Sequence, residues 1–123
     1  MVGLRQRLGS LGERVAAAHL EAKGYRIRER NFRTREGEID LVAEHRGTLV
    51  LVEVRTRRGD GQGGPLESVT PEKQARLRLM ADAYCAARRI NPEQIRIDVV
   101  GVTLMADGRL GGVEHVENAV EGL

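Results

Sequence analysis

The stretch from Gly37 to Arg57, which reads GEIDLVAEHRGTLVLVEVRTR, constrains the fold of this chain more than any other part of it. Polar and apolar residues largely alternate up to Glu44, and the most apolar run of the chain, Leu49 to Val54, follows the dipeptide Arg46-Gly47. Alternation with a period of two is typical of a β-strand. Glycine suits a tight turn because it tolerates positive φ. The stretch therefore predicts a β-hairpin.

The hydrophobic pattern also predicts how the two strands are aligned. A two-residue turn that pairs His45 with Thr48 and a four-residue loop that pairs Glu44 with Leu49 give the same register. Because a slip of one residue would bring charged side chains onto the apolar face, this register is well specified. On that face the predicted pairs are Ile39 with Val54, Leu41 with Val52 and Ala43 with Val50.

The opposite face of the hairpin contains an electrostatic conflict. The same register places Asp40 directly opposite Glu53, and Glu38 opposite Arg55. Directly opposed side chains have Cβ atoms only ~4.5–5.5 Å apart, so two carboxylates there repel each other. A shared proton, a basic neighbour or a bound cation has to compensate. We therefore look for function at Asp40 and Glu53.

The whole chain has 123 residues, which is enough for one domain with one core. No apolar run approaches the ~20 residues of a membrane span, and the N-terminal segment lacks the apolar stretch of a signal peptide. The lone Cys85 excludes an internal disulfide and suits a reducing compartment. We therefore expect a cytoplasmic protein with no membrane partner, formed by residues 1–123 as a single domain.

Charge is unevenly distributed along the chain. Residues 1–60 carry 13 basic and 9 acidic side chains, whereas residues 61–123 carry 7 and 9. A basic N-terminal half suits a polyanionic partner, because phosphate contacts supply most of the non-specific affinity for nucleic acids. A solvated, arginine-rich surface explains the same composition equally well. Aromatic residues are scarce, so base stacking on an aromatic platform is not expected.

Two helices are predicted from their end signals. In the first, Ser10 and Glu13 form a capping box, and Gly24 follows the last turn. The second starts at Thr70-Pro71, with threonine as the cap and proline in the first turn, and it runs to about Arg89.

Further strands are predicted at residues 25–32 and 95–104, with a last edge strand at 113–116 as an option. Residues 58–65, RGDGQGGP, form a flexible glycine-rich loop that is either a plain connection or a lid beside the hairpin. Residues 117–123 are expected to be a frayed tail. The order α-β-β-β-α-β predicts an α/β fold, with a single mixed β-sheet flanked by helices.

Few side chains are candidates for chemistry. The three histidines show no spacing that suggests a shared site, and one cysteine cannot form a zinc site of the cysteine type. No G-x-S-x-G nucleophile elbow is present. What remains is the carboxylate pair Asp40 and Glu53, whose hard oxygen atoms suit Mg²⁺ or Mn²⁺. Such an ion activates water and stabilises the charge that builds on a phosphodiester.

The arrangement Asp40, twelve residues, Glu53-Val54-Arg55 resembles the PD-D/E-x-K nucleases of the restriction-endonuclease-like superfamily. In these enzymes an Asp and a Glu lie on adjacent strands, and a Lys follows two residues later. More specifically, the chain is similar to the YraN family of predicted endonucleases, which are related to archaeal Holliday-junction resolvases. The matching segments are Gly9 with Glu13, Asn31 to Arg33, Gly37 to Val42, Val52 to Arg57, Ser68 to Gln74, Arg96 to Val100 and Glu114 to Ala119.

This resemblance implies a restriction-endonuclease-like fold and a metal-dependent endonuclease. Its substrate would be DNA, including branched or flapped structures in repair or recombination. Asp40 and Glu53 would bind the metal, with the carbonyl oxygen of Val54 as a third ligand, and Glu13 would project toward them from the first helix. Because related resolvases act as dimers, a homodimer is also implied.

Arg55 departs from the superfamily pattern, because it occupies the position of the catalytic lysine. Arginine can stabilise charge on a phosphate, but it stays protonated and is a poor base. Lys73 can supply an ammonium group from the second helix, and Gln74 lies where related nucleases sometimes place a site residue. The expected catalytic residues are therefore Glu13, Asp40, Glu53, Arg55 and Lys73, with Mg²⁺ or Mn²⁺ as cofactor.

Simpler roles remain open for several of these residues. Glu13 can have no role beyond that of the acid in the capping box. Arg55 can have no role beyond that of the cross-strand partner of Glu38, and we interpret Glu38 itself as structural. Asp98 on the late strand can be buried and paired with an arginine. The alternatives to an endonuclease are a nucleic-acid-binding protein that no longer hydrolyses its ligand and a protein-interaction scaffold.

Overall fold

The computed structural model describes residues 4–59, 67 and 69–120, and for residues 4–8 the backbone alone. The elements in chain order are α1 (Leu4–Ala22), β1 (Arg26–Thr34), β2 (Gly37–His45), β3 (Thr48–Arg58), α2 (Pro71–Arg88), β4 (Ile95–Leu104) and β5 (Leu110–Val116). The strands form one sheet in the order β1-β2-β3-β4-β5. Strands β3 and β4 are parallel, and the other neighbours are antiparallel. This confirms the predicted α/β fold with a single mixed sheet, and it is consistent with a restriction-endonuclease-like core.

The two helices pack against opposite faces of the sheet. Successive strand residues point to opposite faces, so β2, β3 and β4, which are apolar in both positions, are covered on both sides. On the α1 side the buried cluster includes Ala16, Leu20, Leu41, Val50, Val52, Val100 and Val102. On the α2 side it includes Val42, Leu51, Leu77, Met80, Ala81, Tyr84 and Val99. Cys85 is a free cysteine that is buried on α2.

The central hairpin has the predicted register near its turn. His45 pairs with Thr48, and the pairing continues to Leu41 and Val52. Arg46 and Gly47 have φ values of 52° and 81°, so both turn residues are left-handed, as in the turn type that matches the twist of a hairpin. One detail of the predicted apolar face is wrong. Ile39 belongs to the cluster on the α2 side, whereas Leu41 and Ala43 belong to the α1 side.

Helix α1 begins earlier than predicted. It starts at Leu4, so Ser10 and Glu13 lie inside the helix and do not form a capping box. The preceding leucine, arginine and glutamine residues favour helix and extend it toward the N-terminus. The predicted end is confirmed, because Gly24 has a φ of 93° and its N–H donates to the carbonyl of Glu21 at 3.0 Å. Glu13 is therefore available for a contact outside its own helix.

Helix α2 starts as predicted. The side-chain oxygen of Thr70 accepts a hydrogen bond from the N–H of Lys73 at 3.2 Å, and Pro71 lies in the first turn. This cap fixes the position of Lys73 at the beginning of the helix.

Neither helix of the described chain combines the length and the hydropathy that crossing a membrane requires.

Some strand boundaries differ from the prediction. Strand β1 extends to Thr34, β3 includes Arg58, and the last strand begins at Leu110. The rest of the predicted glycine-rich loop, apart from Gly59, lies outside the described residues. In the predicted frayed tail, Asn118 donates its N–H to Asp98 at 2.9 Å, and Val120 is buried. Fraying thus stays a prediction for residues 121–123, which the structure does not describe.

Candidate functional site

The pairing of β2 with β3 stops just before Asp40. The last paired residues are Leu41 and Val52, and beyond them the Oδ2 atom of Asp40 accepts a hydrogen bond from the N–H of Val54 at 2.7 Å. Asp40 and Glu53 are therefore not a directly opposed cross-strand pair, and this part of the predicted register is wrong. A side-chain oxygen of Asp40 binds the β3 backbone, so the strands are not aligned side by side at this point.

The Asp40 carboxyl group lies in an environment that disfavours its charge. Burial is the largest cause that raises the pKa of Asp40 from its ordinary value of 3.8 to about 8, and the negative charge of Glu53 is the next. The hydrogen bond from the N–H of Val54 acts in the opposite direction, and the charge of Glu13 raises the pKa further. The conflict between Asp40 and Glu53 is thus present in the structure, although their register is not the predicted one.

Three carboxylates converge at this position. Glu13 from α1 and Glu38 and Asp40 from β2 each place one oxygen atom within 4.8 Å of the others, and all three residues are half-buried. Carboxylate oxygens at this separation form a set that can hold a divalent cation. This acidic cluster includes Glu38, which the sequence had assigned to structure. The signal was available, since Glu38 precedes Asp40 by two positions and shares its face of the strand.

Asn31 connects two members of the acidic cluster. Its side-chain nitrogen donates to Glu13 Oε1 at 3.0 Å and to Glu38 Oε1 at 2.9 Å. Asn31 has a φ of 54° inside β1, a left-handed conformation that asparagine tolerates better than most residues. The irregular backbone directs the amide toward the carboxylates. In the sequence Asn31 is part of the matching segment Asn31 to Arg33, and no local pattern there indicates this contact.

Glu53 lies beside the acidic cluster with two cationic partners of its own. Its side chain is 5% exposed, and Oε2 lies 3.1 Å from Lys73 Nζ and 3.3 Å from an Arg55 side-chain nitrogen. Arg55 therefore contacts Glu53 on its own strand. Glu38 instead lies 3.6 Å from Arg33, so the predicted pair of Glu38 with Arg55 is wrong.

All of the predicted site residues thus lie in one region, divided into two groups. Glu13 and Asp40 belong to the acidic cluster, whereas Arg55 and Lys73 surround Glu53. Val54 joins the groups through its N–H, which binds Asp40. The side chain of Gln74 donates to the carbonyl of Val69 at 3.2 Å. The roles assigned to these residues in catalysis and metal binding stay predictions.

An arginine-lined cleft opens next to the acidic cluster. Its volume is about 360 Å³, and its lining includes Glu13 together with Arg55, Arg57 and Arg58 at the end of β3. Helix α1 approaches β3 closely here, since a Cβ atom on Gly12 would lie 1.9 Å from Thr56 Oγ1. The close approach brings Glu13 to the same side as the end of β3.

A second polar group surrounds Asp98, which is fully buried. Arg96 donates two hydrogen bonds to its carboxylate at 2.8 and 2.9 Å, as the alternative interpretation predicted. His115 Nε2 lies 2.7 Å from the same carboxylate. Burial by itself would raise the pKa of Asp98, but the bonds from His115, Arg96 and the N–H of Asn118 lower it. These bonds attach β5 and the following turn to β4.

The histidines lie closer together than their spacing suggested. The ring of Tyr25 stacks on His45 at a centroid distance of 4.0 Å and meets the edge of His115 at 5.4 Å. The pKa of His19 is lowered by burial, by Lys23 and by His115. No local pattern reveals this convergence, because the residues come from separate elements.

Comparisons with known proteins identify the family but no activity. The family model described as "Uncharacterised protein family UPF0102" matches residues 12–102. A UPF0102 protein of Clavibacter michiganensis is 54% identical over 114 residues, which cover 93% of this chain and 96% of the relative. A UPF0102 protein of Roseiflexus castenholzii is 46% identical over 122 residues, with 98% of each chain covered. The chain therefore belongs to the UPF0102 family.

Proposed function

We propose that this protein is a divalent-metal-dependent endonuclease that hydrolyses phosphodiester bonds in DNA. The observation that carries the proposal is the acidic cluster of Glu13, Glu38 and Asp40 beside the arginine-lined cleft. Metal-assisted phosphodiester hydrolysis needs a cation site next to groups that bind phosphate, and guanidinium groups bind phosphate oxygens well. The likeness to the PD-D/E-x-K nucleases supports the same function.

The donor set fits the proposed cofactor. Glu13, Glu38 and Asp40 offer three hard oxygen ligands, which Mg²⁺ and Mn²⁺ prefer. These residues differ from the set that the resemblance implied, in which Glu53 and the carbonyl of Val54 join Asp40. Glu53 already contacts Lys73 and Arg55, so it is better suited to hold these cations than to bind the metal. A bound ion would supply an activated water and stabilise the charge that builds on the phosphate.

The remaining residues act on the substrate and on protons. Arg55 and Arg57 in the cleft would bind the phosphate and draw charge from it. Buried Glu53 holds the ammonium group of Lys73, which would contribute a further positive charge at the site. Asp40, with a pKa of about 8, must lose its proton to become a ligand. Metal affinity should therefore increase as the pH rises through this value.

A second candidate function is a nucleic-acid-binding protein without hydrolysis. Arg55 in the position of the catalytic lysine favours it, because an arginine cannot act as a general base. This candidate predicts binding that weakens with salt and no product with any metal. If the protein is instead an endonuclease that uses Lys73, cleaved DNA should appear with the wild type and should be lost when Lys73 is replaced.

The decisive experiment is a cleavage assay on a panel of labelled DNA substrates. Duplex, single-stranded, flapped and four-way DNA are incubated with Mg²⁺ or Mn²⁺, and products are separated on denaturing gels. We expect cleavage by the wild type, loss of cleavage in Asp40→Ala, and unchanged cleavage in Asp82→Ala, which removes an exposed carboxylate on α2. Absence of cleavage on every substrate would refute the proposal, as would cleavage that Asp40→Ala leaves intact.

The finer parts of the proposal follow the resemblance alone. These are branched or flapped DNA from repair or recombination as the substrate, and a homodimer as the active form. The flapped and four-way arms of the panel test the first, and light scattering of the purified protein tests the second. The cytoplasmic location that we also propose rests instead on the sequence pattern and the lone Cys85.

A further inference from the structure

Strand β1 carries a row of exposed arginines along one edge of the sheet. The strand pairs with β2 on one side and is the first strand of the sheet order, so its other side is an edge. The strand and the turn after it contain five exposed arginines, at positions 26, 28, 30, 33 and 35. Such an edge presents positive charge to any polyanion that approaches it.

The arginines differ in how far their charge is neutralised. Arg26 and Arg28 both contact Glu44, at 2.9 and 3.0 Å. The side chain of Arg33 is 89% exposed and lies 3.6 Å from Glu38, which is a weak interaction in water. The side chains of Arg30 and Arg35 make no hydrogen bond or ion pair with any residue in the described part of the chain. Uncompensated charge is therefore concentrated at Arg30, Arg33 and Arg35, which we call the β1 arginine edge.

The β1 arginine edge flanks the acidic cluster. Arg30 and Arg33 lie on either side of Asn31, the residue that contacts both Glu13 and Glu38. On the other side of the cluster lies the arginine-lined cleft at the end of β3. The cluster is thus bordered by arginines on two sides. An acidic site repels a phosphate backbone unless cations on its borders offset that repulsion.

We propose that the β1 arginine edge is a docking surface for the backbone of a nucleic acid, which passes from this edge over the acidic cluster to the arginine-lined cleft. The identity of the partner rests on the proposed function. Charged residues on an edge strand also prevent two sheets from pairing edge to edge. That role requires no ligand and predicts no change in nucleic-acid binding when an arginine is removed.

The test measures binding without metal, so that no substrate is cut. Fluorescence anisotropy follows short labelled single-stranded and duplex DNA in EDTA, at salt concentrations between about 50 and 200 mM. The proteins are the wild type, Arg30→Ala, Arg35→Ala and the control Arg109→Ala. Arg109 has an 80% exposed side chain in the turn before β5, the strand at the opposite edge of the sheet.

We expect each β1 variant to bind roughly threefold to tenfold more weakly, and its plot of log affinity against log salt to be less steep by about 0.7 to 0.9 per lost contact. Arg109→Ala should match the wild type. The proposal is overturned if the β1 variants behave like this control, or if the wild type binds neither DNA.

The outcome is separable from that of the cleavage assay. Loss of binding in the β1 variants, together with no cleavage by the wild type, would support the docking surface and refute the nuclease. Cleavage by the wild type, with unchanged binding in the β1 variants, would do the reverse.

Discussion

Replacing Asp40 with asparagine should stabilise the metal-free protein. The side-chain oxygen of asparagine can still accept the hydrogen bond from the N–H of Val54, which Asp40 accepts at 2.7 Å. Its amide group can also donate to Glu53, so shape and hydrogen bonding are preserved. The substitution therefore replaces a carboxyl group whose ionisation burial and Glu53 oppose with a neutral amide of nearly the same shape, and it changes little else.

The size of the effect follows from the shifted pKa. The pKa of Asp40 is about 8 in the folded protein, against an ordinary value of 3.8 that we take for the unfolded chain. A raised folded pKa contributes stability that is complete below pH 3.8 and is lost as the pH rises toward 8. At pH 7 the loss is about 1.4 kcal/mol for each of roughly three pH units, or about 4 kcal/mol. Water reaching the half-buried cluster reduces this, so we expect a gain of about 1–4 kcal/mol for Asp40→Asn.

Thermal unfolding in EDTA at several pH values measures this gain. For a chain of this length each kcal/mol corresponds to roughly 4 °C in Tm. The difference between Asp40→Asn and the wild type should be small near pH 4, increase with pH, and level off above pH 8. Asp82→Asn, the same change at an exposed position on α2, is the control and should shift Tm little at any pH.

Two results would contradict this reasoning. One is an Asp40→Asn protein that is no more stable than the wild type at pH 8. The other is a gain that is as large at pH 4 as at pH 8, because the charge of Asp40 could not then be its cause. Adding Mg²⁺ extends the test, since a cation that binds Asp40 should raise the Tm of the wild type and leave that of Asp40→Asn nearly unchanged.

Two further predictions concern the packing around the site. Lys73→Met removes the ammonium group 3.1 Å from buried Glu53, so urea unfolding should show a free energy of unfolding that is lower by about 2–4 kcal/mol. The control Arg76→Met, on the exposed face of the same helix, should lower it far less. Equal losses in the two variants would refute a stabilising role for the pair of Lys73 and Glu53. Gly12→Ala places a Cβ atom 1.9 Å from Thr56 Oγ1, so it should destabilise the protein by roughly 1–3 kcal/mol in the same urea unfolding experiment. The control Gly9→Ala has open space around its Cβ atom and should not be destabilised. If the two variants were equally stable, α1 and β3 could not be so closely packed.

Much of the fold was predictable from local patterns. Alternation and the Arg46-Gly47 turn predicted the hairpin and its register near the turn, and Thr70-Pro71 predicted the start of α2. The capping box at Ser10 was wrong because the signal of a helix start also occurs inside a helix when the preceding residues favour helix. Local end signals do not reveal how far a helix extends beyond them.

The candidate site was predictable in part. The conflict between Asp40 and Glu53 pointed to the right place, because the charge of Glu53 still acts on Asp40 although the two residues are not directly opposed. Glu38 was assigned to Arg55 because the register was extended past Leu41, where the regular pairing of β2 with β3 ends. The contact of Asn31 depends on a left-handed residue within β1, and asparagine permits that conformation without requiring it.

The sequence by itself determined the elements of this protein, the apolar faces that make a covered sheet, and the strand pair in which two acids conflict. Each of these depends on residues within a few positions of one another or across one tight turn. Only the tertiary structure decided which carboxylates form the acidic cluster and where the arginines lie around it. Glu13, Asn31 and Asp40 come from three elements, and their contacts depend on how closely α1 packs on the sheet and on where the strands depart from regular pairing.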